Sequence, residues 1–403
     1  MPPGGGASHG ETRRPEIGLK RWSLVGVAGY SLRAMIQPRR LVAVLGAAVA
    51  LAVAFGCGSS SGVAASGSLT PCGTANAPTW SPDGTQIAWF GYRWPRPANK
   101  HAAGSWNTLR AVCVSDANGK NLHPVPKTVC SEHCTNPLSD PPGQLDWARS
   151  GVILAGNDLG VYQITMGQKP ELLGHNGPEP YSIDAAGDRV ATANIALGCM
   201  SCHGPVTVRS VPSGAVVGTI GGTKTNSNQP SLSPDGTQVV FTRTSGKNAE
   251  AKPSLWTANA DGSNLKRLER SGLNPLWSPA GNRIAYLAPT TSGRSAWRLV
   301  APTGGASTLL LRNGPGTVFG WSPNGKWIAF PDGKGRLAII NVATKKVRTL
   351  LKLDLPYSTS SAAWSPDSQQ LLVLWKPPAH TKCPSGLWRV SVTGGKPHLV
   401  HGC

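Results

Sequence analysis

Two short stretches of the chain carry cysteine and histidine at spacings that suit metal or cofactor chemistry. Cys199–His203 reads Cys-Met-Ser-Cys-His, the C-x-x-C-H pattern to which haem c is attached. Cys130–Cys134 reads Cys-Ser-Glu-His-Cys, and together the two stretches offer ligand types that zinc accepts. Neither stretch lies in a predicted helical pocket that could cover a porphyrin, and disulfide formation competes with thiolate ligation outside the cytoplasm. We therefore expect disulfides and no cofactor, with haem c and zinc as the alternatives.

The chain contains nine cysteines. Cys57 follows an apolar run and is treated separately below. The remaining eight are even in number, which in an exported chain indicates disulfides; they are Cys72, Cys113, Cys130, Cys134, Cys199, Cys202, Cys383 and Cys403. Close spacing favours the pairs Cys130–Cys134 and Cys199–Cys202. Cys403 is expected to pair with either Cys72 or Cys383, and the sequence does not decide between them.

The beginning of the chain has the pattern of an export signal. Arg39 and Arg40 precede Leu41–Phe55, a run of fifteen residues without a charge. A helix that crosses a bilayer needs roughly 20 apolar residues, whereas the core of a signal peptide has about 7–15. The pattern predicts a signal peptide over residues 1–56, with Met35 as an alternative start of translation.

The residues after this apolar run are typical of a membrane anchor. Ala54–Cys57 resembles the cleavage site of bacterial lipoproteins, and this resemblance implies that Cys57 becomes the lipidated N-terminus. Residues 57–72 are rich in Gly, Ser and Ala, as a flexible tether requires. We expect an exported protein held at the outer face of a bacterial membrane, periplasmic or at the cell surface. The alternative is an uncleaved anchor in which Cys57 has no role.

A repeat runs through the rest of the chain. Five copies are recognisable, and they begin at Pro78, Pro230, Pro275, Phe319 and Ala362; two degenerate copies begin at Leu145 and Tyr181. Each copy has a tryptophan or an apolar equivalent before a Ser-Pro-Asp-Gly-like turn: Trp80, Trp147, Ile183, Leu232, Trp277, Trp321 and Trp364. In such a turn Pro presets φ, Asp accepts backbone hydrogen bonds and Gly supplies a positive φ.

The repeat predicts an all-β fold. A strand follows each turn, and a second strand–turn–strand element completes the unit, so that about four short strands fall in each repeat. Apolar residues at helical spacing, which a helical solenoid needs, are absent. We predict one β-propeller over residues 73–403, with seven four-stranded blades and with six or eight as alternatives.

The repeats also resemble a known family. The Trp-Ser-Pro-Asp-Gly turns and the hairpin at Asp261–Asn264 are similar to the WD-like repeats of TolB-type propellers, over nearly all of Gly73–Cys403. The resemblance implies the propeller fold. TolB proteins have an α/β domain before the propeller, and related propellers are fused to prolyl-peptidase domains. We expect neither domain here, and therefore do not carry over the Tol partners or peptidase chemistry.

The predicted topology separates two faces of the ring. The first face holds the turns between strands one and two and between strands three and four, which are all short. The second face holds the loops between strands two and three and the links between blades. Nearly all variation in length falls there, in Gly91–Asn107, Pro126–Gly143, Ala196–Gly204, Thr244–Pro253 and Lys376–Ser385. Because variable loops on a rigid scaffold commonly bind ligands, we predict a functional second face.

The first of these loops combines aromatic and basic residues. Its candidate binding residues are Tyr92, Arg93, Trp94, Arg96, Lys100, His101 and Trp106. The alternative is an insertion that packs on its own aromatic side chains. The chain has a net charge of +20, which falls to +15 without residues 1–56. An exported basic protein suits an envelope protein, an anionic envelope polymer or lipid rather than nucleic acid. We expect a monomer.

The sequence favours a binding protein over an enzyme. Gly6–Gly10 and Gly58–Gly62 match G-x-S-x-G but lie in the leader and tether, without the strand–turn–helix that positions a nucleophile. Several acidic residues, such as Asp83, Asp235 and Asp367, fall in the repeat turns. The sequence therefore predicts no catalytic residue. The alternative is a propeller hydrolase, lyase or sugar dehydrogenase whose site is assembled around the axis.

Overall fold

A computed structural model gives the fold of the chain. It describes residues 71–93, 109–129, 143–157, 160–174, 181–193, 204–222, 226–244, 252–290, 295–316, 318–332, 334–352, 361–375 and 386–402. By its contacts the chain divides into Met1–Gly62 and Val63–Cys403, and all of the described residues belong to the second unit. A search of these residues for a helix long and apolar enough to cross a bilayer finds none.

The described residues form seven antiparallel sheets of four strands each. Blade 1 contains β1 (Thr74–Trp80), β2 (Gln86–Arg93), β3 (Leu109–Asp116) and β4 (His123–Pro124); blade 2 contains β5 (Gln144–Trp147), β6 (Ile153–Asn157), β7 (Gly160–Ile164) and β8 (Glu171–Gly174); blade 3 contains β9 (Ser182–Ile183), β10 (Arg189–Ala193), β11 (Val206–Ser210) and β12 (Val216–Ile220).

The next four blades follow in the same way. Blade 4 contains β13 (Asn226–Leu232), β14 (Gln238–Thr244), β15 (Ser254–Asn259) and β16 (Lys266–Glu269); blade 5 contains β17 (Leu273–Trp277), β18 (Ile284–Pro289), β19 (Ser295–Val300) and β20 (Thr308–Leu311); blade 6 contains β21 (Gly320–Trp321), β22 (Trp327–Asp332), β23 (Arg336–Asn341) and β24 (Val347–Lys352); blade 7 contains β25 (Ala362–Trp364), β26 (Gln370–Trp375), β27 (Gly386–Ser391) and β28 (His398–His401). The prediction of seven blades is confirmed, and six and eight are wrong.

The repeat motif fixes where each first strand ends. All seven tryptophan-equivalent residues are the last residue of the first strand of their blade. The first strand of blade 1 contacts the first strands of blades 2 and 7, and those of blades 4 and 5 also meet. The first strands therefore surround the axis, and the later strands of each blade lie progressively farther out.

A buried serine holds each well-formed turn after the first strand. Ser81 Oγ donates to Asp83 Oδ1 at 2.6 Å and accepts from the Gln86 amide at 2.9 Å. The same bonds recur around Ser233 and Ser365. The serine stabilises the turn from inside and the aspartate stabilises it from outside, which explains why both residues recur in the motif.

The apolar core is divided among the junctions between blades. Seven clusters of buried residues occur in the described part of the chain, and each draws on two neighbouring blades. At the junction of blades 4 and 5, for example, Val240 and Leu255 pack against Trp277 and Tyr286. Each sheet of the propeller is therefore apolar on both faces, whereas a sheet with one face in solvent is apolar on one face only. Each blade needs both neighbouring blades to bury its apolar side chains.

Hydrogen bonds join the first strands of neighbouring blades. The Trp321 indole donates to the Leu276 carbonyl oxygen of the preceding blade at 3.3 Å, and the Trp364 indole donates to that of Gly320 at 3.1 Å. Where the motif has leucine instead, the Leu232 amide donates to Ser182 Oγ at 3.0 Å. The position just before the tryptophan thus supplies the acceptor to the next blade.

The same hydrogen bond closes the ring. The Trp80 indole donates to the Ala363 carbonyl oxygen at 3.3 Å, which joins blade 1 to blade 7. His401 Nε2 lies 2.8 Å from the Gly73 carbonyl oxygen, and the His401 ring lies 4.9 Å from that of Trp89. Since all four strands of each blade are consecutive, side-chain packing and these bonds close the ring without an exchanged strand.

The connections differ in length as predicted. On the first face, β1 and β2 are joined by only Ser81–Thr85, and the other described repeat turns are equally short. The long connections 94–108, 125–143, 194–205, 245–253 and 376–385 all join strand two to strand three or one blade to the next. The prediction that variation in length falls on the second face is confirmed.

The ring-closing bond can be tested by replacing Trp80 with phenylalanine. Trp80→Phe keeps an aromatic ring but removes the donor to blade 7, so we expect hydrogen exchange in β1 and β25 to accelerate about fivefold, as the loss of a hydrogen bond of about 1 kcal/mol implies. The matched control is Trp277→Phe, because the Trp277 indole donates within its own turn, to the Gly281 carbonyl oxygen at 3.0 Å. Equal acceleration of blade 7 by both variants would contradict the assignment.

Candidate functional site

At the position before the tryptophan, only one of the seven first strands has a carboxylate, and it is Asp146 in blade 2. The residues at this position are Thr79, Asp146, Ser182, Ser231, Leu276, Gly320 and Ala363. All but Asp146 are uncharged, and several are small. A ring axis surrounded by small or neutral residues and backbone is poorly supplied with acid–base groups, so Asp146 is the candidate for chemistry on these strands.

Asp146 lies between blades 2 and 3, where two neighbours control its charge. Gln144 Nε2 donates to Asp146 Oδ2 at 2.7 Å. Tyr181 enters from blade 3, is 3% exposed, and donates its hydroxyl to the Leu154 carbonyl oxygen at 3.1 Å. Burial raises the pKa of Asp146 to about 6, and the hydrogen bond from Gln144 and the nearby Tyr181 hydroxyl oppose this rise. Burial, followed by the charge of Asp146, holds the pKa of Tyr181 well above its usual value.

A single carboxyl that titrates near neutrality can exchange a proton, but acid–base catalysis needs a second group placed for the substrate. Within the described ranges, no group of three His, Cys, Asp or Glu side chains could hold a metal ion. The geometry therefore assigns Asp146 to the junction between blades, where its protonation changes the electrostatic cost of packing blade 2 on blade 3.

The raised pKa of Asp146 gives stability a dependence on pH. The folded chain binds this proton more tightly than the unfolded chain, whose Asp pKa is about 3.9. Protonated Asp146 therefore makes its full contribution to stability below about pH 4, and this contribution is lost as the pH rises through about 6. We expect Asp146→Asn, which mimics the protonated form, to raise the free energy of unfolding at pH 7 by about 2 kcal/mol and to remove this part of the dependence.

Urea unfolding at a series of pH values measures this effect as the difference in the free energy of unfolding between the wild type and Asp146→Asn. Asp235→Asn is the control, because the hydrogen bond from Ser233 and those from Thr237 lower the pKa of Asp235 below its usual value. This control should lose stability at neutral pH instead. Parallel pH curves for the wild type and Asp146→Asn would contradict the raised pKa.

The turn carboxylates are committed to structure, as the sequence predicted. Asp83 accepts from the Ser81 hydroxyl at 2.6 Å and from the Thr85 amide at 3.0 Å, and these bonds lower its pKa. Asp261 accepts from the Ser263 hydroxyl at 2.7 Å. Their oxygens already have donors, so these residues do not form a catalytic pair.

The requirements of the turns also distribute charge between the faces. The acidic residues in the described segments lie at the first face, apart from Asp146 on its inner strand and Glu269 and Asp332 at the second face. Asp332 is already engaged, since Arg336 Nε donates to its Oδ2 at 2.6 Å. Basic residues occur on both faces, and among the described residues of the second face only Glu269 and Asp332 are acidic.

Four exposed basic side chains mark the second face of blades 4 to 6. They are Lys252 in the loop before β15, Arg270 after β16, Arg312 after β20 and Lys334 before β23, and we call them the cationic arc. At the second-face end of β14, the Arg243 guanidinium lies over the Trp256 ring, 4.7 Å from its centroid. This arc is a dispersed positive surface and lacks the convergent geometry of a pocket.

The predicted binding loop is only partly described. Tyr92 is half-buried at the end of β2, where it packs against the core between blades 1 and 2, and burial raises its pKa. The backbone of Arg93 ends the same strand, paired with Leu109. Trp94, Arg96, Lys100, His101 and Trp106 lie outside the described residues, and so does the lipidation candidate Cys57. Their roles stay predictions.

The structure contains a disulfide that the spacing of the cysteines did not reveal. Cys72 is bonded to Cys113 in β3. Cys72 is therefore not the partner of Cys403, and the pairing of Cys403 with Cys383 stays a prediction. Gly91 makes room for this bond, because a Cβ there would lie 2.8 Å from Cys113 Sγ. In the chain-entropy picture, closing a loop of 41 residues disfavours the unfolded chain by about 4 kcal/mol.

The other predicted cysteine and histidine sites lie outside the described residues. These are Cys130, His133, Cys134, Cys199, Cys202, His203, Cys383 and Cys403. The disulfides Cys130–Cys134 and Cys199–Cys202, with haem c and zinc as their alternatives, therefore stay predictions.

Two features of the second face and the axis were missed by reasoning from the sequence. Asp146 had a signal, since it is the one charged residue at a position where the other repeats have Thr, Ser, Leu, Gly or Ala. The cationic arc also had one, because its residues follow strands two and four, where the turn motif places no aspartate. Both signals require the strand order and the alignment of the repeats to be read together.

Comparison with known proteins places the fold among β-propellers. No protein-family model matches the chain. Over 108 residues the chain is 30% identical to the uncharacterized peptidase YuxL of Bacillus subtilis (strain 168), a match that covers 25% of this chain and 16% of that protein. The chain therefore matches about a sixth of the length of this curated relative.

Solved structures resemble the chain more extensively but at low identity. Oligogalacturonate lyase from Vibrio parahaemolyticus is 12% identical, with a TM-score of 0.54 over 80% of this chain and 89% of that one. A puromycin-hydrolyzing peptidase from Mycobacterium tuberculosis is 15% identical, with a TM-score of 0.53 over 82% of this chain and 54% of that one. TolB from Acinetobacter baumannii is 14% identical, with a TM-score of 0.41 over 78% and 82%. At these identities the similarity concerns the fold, and the chain is a seven-bladed β-propeller.

Proposed function

We propose that this protein is an exported, lipid-anchored scaffold that binds an anionic component of the bacterial cell envelope through its second face. Leu41–Phe55 and the following Ala54–Cys57 site supply the export and anchoring signals of the sequence. The component is an envelope protein with an acidic surface, an anionic polymer or a lipid surface, and the protein acts as a monomer.

The distribution of charge carries this proposal. The cationic arc is exposed on the face where the long connections cluster, and within the described part of that face only Glu269 and Asp332 are acidic. Exposed basic side chains raise the local concentration of an anionic partner and speed its association. The loops can vary in length here without disturbing the blades, because the core lies between the sheets.

An axial enzyme is the alternative function. The observation that favours it is the pKa of about 6 at Asp146, within the range of a general acid or base. Such an enzyme would need further acid–base or metal-binding groups near the axis. The uncharged residues at the equivalent positions of the other first strands support the binding function instead.

Binding to isolated envelope tests the proposal. We expect the quadruple variant K252Q/R270Q/R312Q/K334Q of the full chain to bind envelope from cells lacking the protein about tenfold more weakly at low salt. Added salt should weaken wild-type binding in the same way, because it screens exposed charges. Binding is measured by cosedimentation of the detergent-purified chain.

The matched control removes four exposed lysines from the first face, in the variant K120Q/K266Q/K326Q/K346Q. It changes the net charge equally and should bind almost as well as wild type. Unchanged binding of the second-face variant, or an equal loss in both variants, would refute binding through the second face. The triple variant R93A/R96A/K100A tests separately whether the first long loop contributes.

A further inference from the structure

The chain enters the propeller at the second face and is fixed there. Cys72 is 1% exposed and bonded to Cys113. The next residue, Gly73, places its carbonyl oxygen 2.8 Å from His401 Nε2 at the end of the last strand. Because β1 runs from the second face to the turn on the first face, any segment that precedes Cys72 must leave the ring from the second face.

The length of this segment limits how far the second face can move from an anchor. Fourteen residues separate Cys57 from Cys72. A Gly/Ser-rich chain of this length has a root-mean-square span of about 20 Å and a fully extended span of about 50 Å. If Cys57 carries a lipid, as the proposed function has it, the bilayer surface is continuously within reach of the second face.

The chemistry of the second face suits a lipid surface better than a single ligand. The cationic arc spans three blades and lies on exposed loops and links, so its charges are dispersed. Two clefts of about 360 and 380 Å³ are lined by residues of blades 4 and 5 near the first face. Laterally mobile anionic lipids can neutralise dispersed basic residues, each of which adds attraction to the surface.

We infer that the second face docks on the anionic lipid headgroups of the membrane that holds the tether, with the cationic arc as the contact. This inference rests on the proposed function and names its partner. Docking holds the propeller with its axis perpendicular to the membrane plane. The first face, which carries the repeat turns, is then directed away from the bilayer. A soluble partner would then meet the first face or the rim of the ring.

Lysine footprinting of the full chain in vesicles tests the orientation. The protein is reconstituted in vesicles of phosphatidylcholine alone or with about a third phosphatidylglycerol, and acetylation of each lysine is followed by mass spectrometry. We expect Lys252 and Lys334 to react about fivefold more slowly in the anionic vesicles at low salt, and high salt to abolish the difference. Lys326 and Lys346 on the first face are internal controls and should react equally in both.

Each other outcome overturns the inference. Equal labelling of Lys252 and Lys334 in the two kinds of vesicle, or protection of the first-face lysines instead, excludes docking through this face. If these lysines are protected only when soluble anionic envelope polymer is added, the partner is that polymer, and the proposed function stands without the inference. If the second-face variant also retains full envelope binding, the proposed function fails as well.

Discussion

The hydrogen bond from a tryptophan indole to the carbonyl oxygen of the preceding blade is the directional contact that closes the ring between blades 7 and 1 and recurs at two other junctions. Trp321, Trp364 and Trp80 each make it, and Trp80 makes it across the junction of the two ends of the chain. Apolar burial at each junction contributes more free energy but is not directional. At these three junctions the hydrogen bond fixes how far the first strand advances, and so places the turn that follows it.

The placement of the turns determines the rest of the surface. In three blades a buried serine and a hydrogen-bonded aspartate stabilise the turn, and both fall on the first face because the first strand always ends there. Asp83, Asp235 and Asp367 are thus placed on the first face by the chemistry of the turn. The opposite face has no such requirement, so its loops vary in length, and among its described residues basic side chains outnumber Glu269 and Asp332.

The repeat made most of the fold predictable. Seven tryptophan-equivalent positions predicted the ends of seven first strands, because a tight turn with Pro, Asp and Gly has one backbone geometry. The pairing of Cys72 with Cys113 was not predictable, because it depends on the register of β2 and β3 and on the space that Gly91 leaves beside the sulfur atoms. The environment of Asp146 depends on Tyr181 from the next blade, and no local pattern in the sequence connects the two.

Closure of the ring depends on the junction of blades 7 and 1, which the described residues hold by side-chain packing, the Trp80 indole hydrogen bond and the contact of His401 with Gly73. The most direct measurement is hydrogen exchange of the individual indole N–H groups by nuclear magnetic resonance, over a series of low urea concentrations. If the junction of blades 7 and 1 is as firm as the others, Trp80 will exchange with the same free energy of opening and the same urea dependence as Trp321 and Trp364. Exchange of Trp80 that is much faster and independent of urea would show that the ring opens locally at this junction, and would contradict the account.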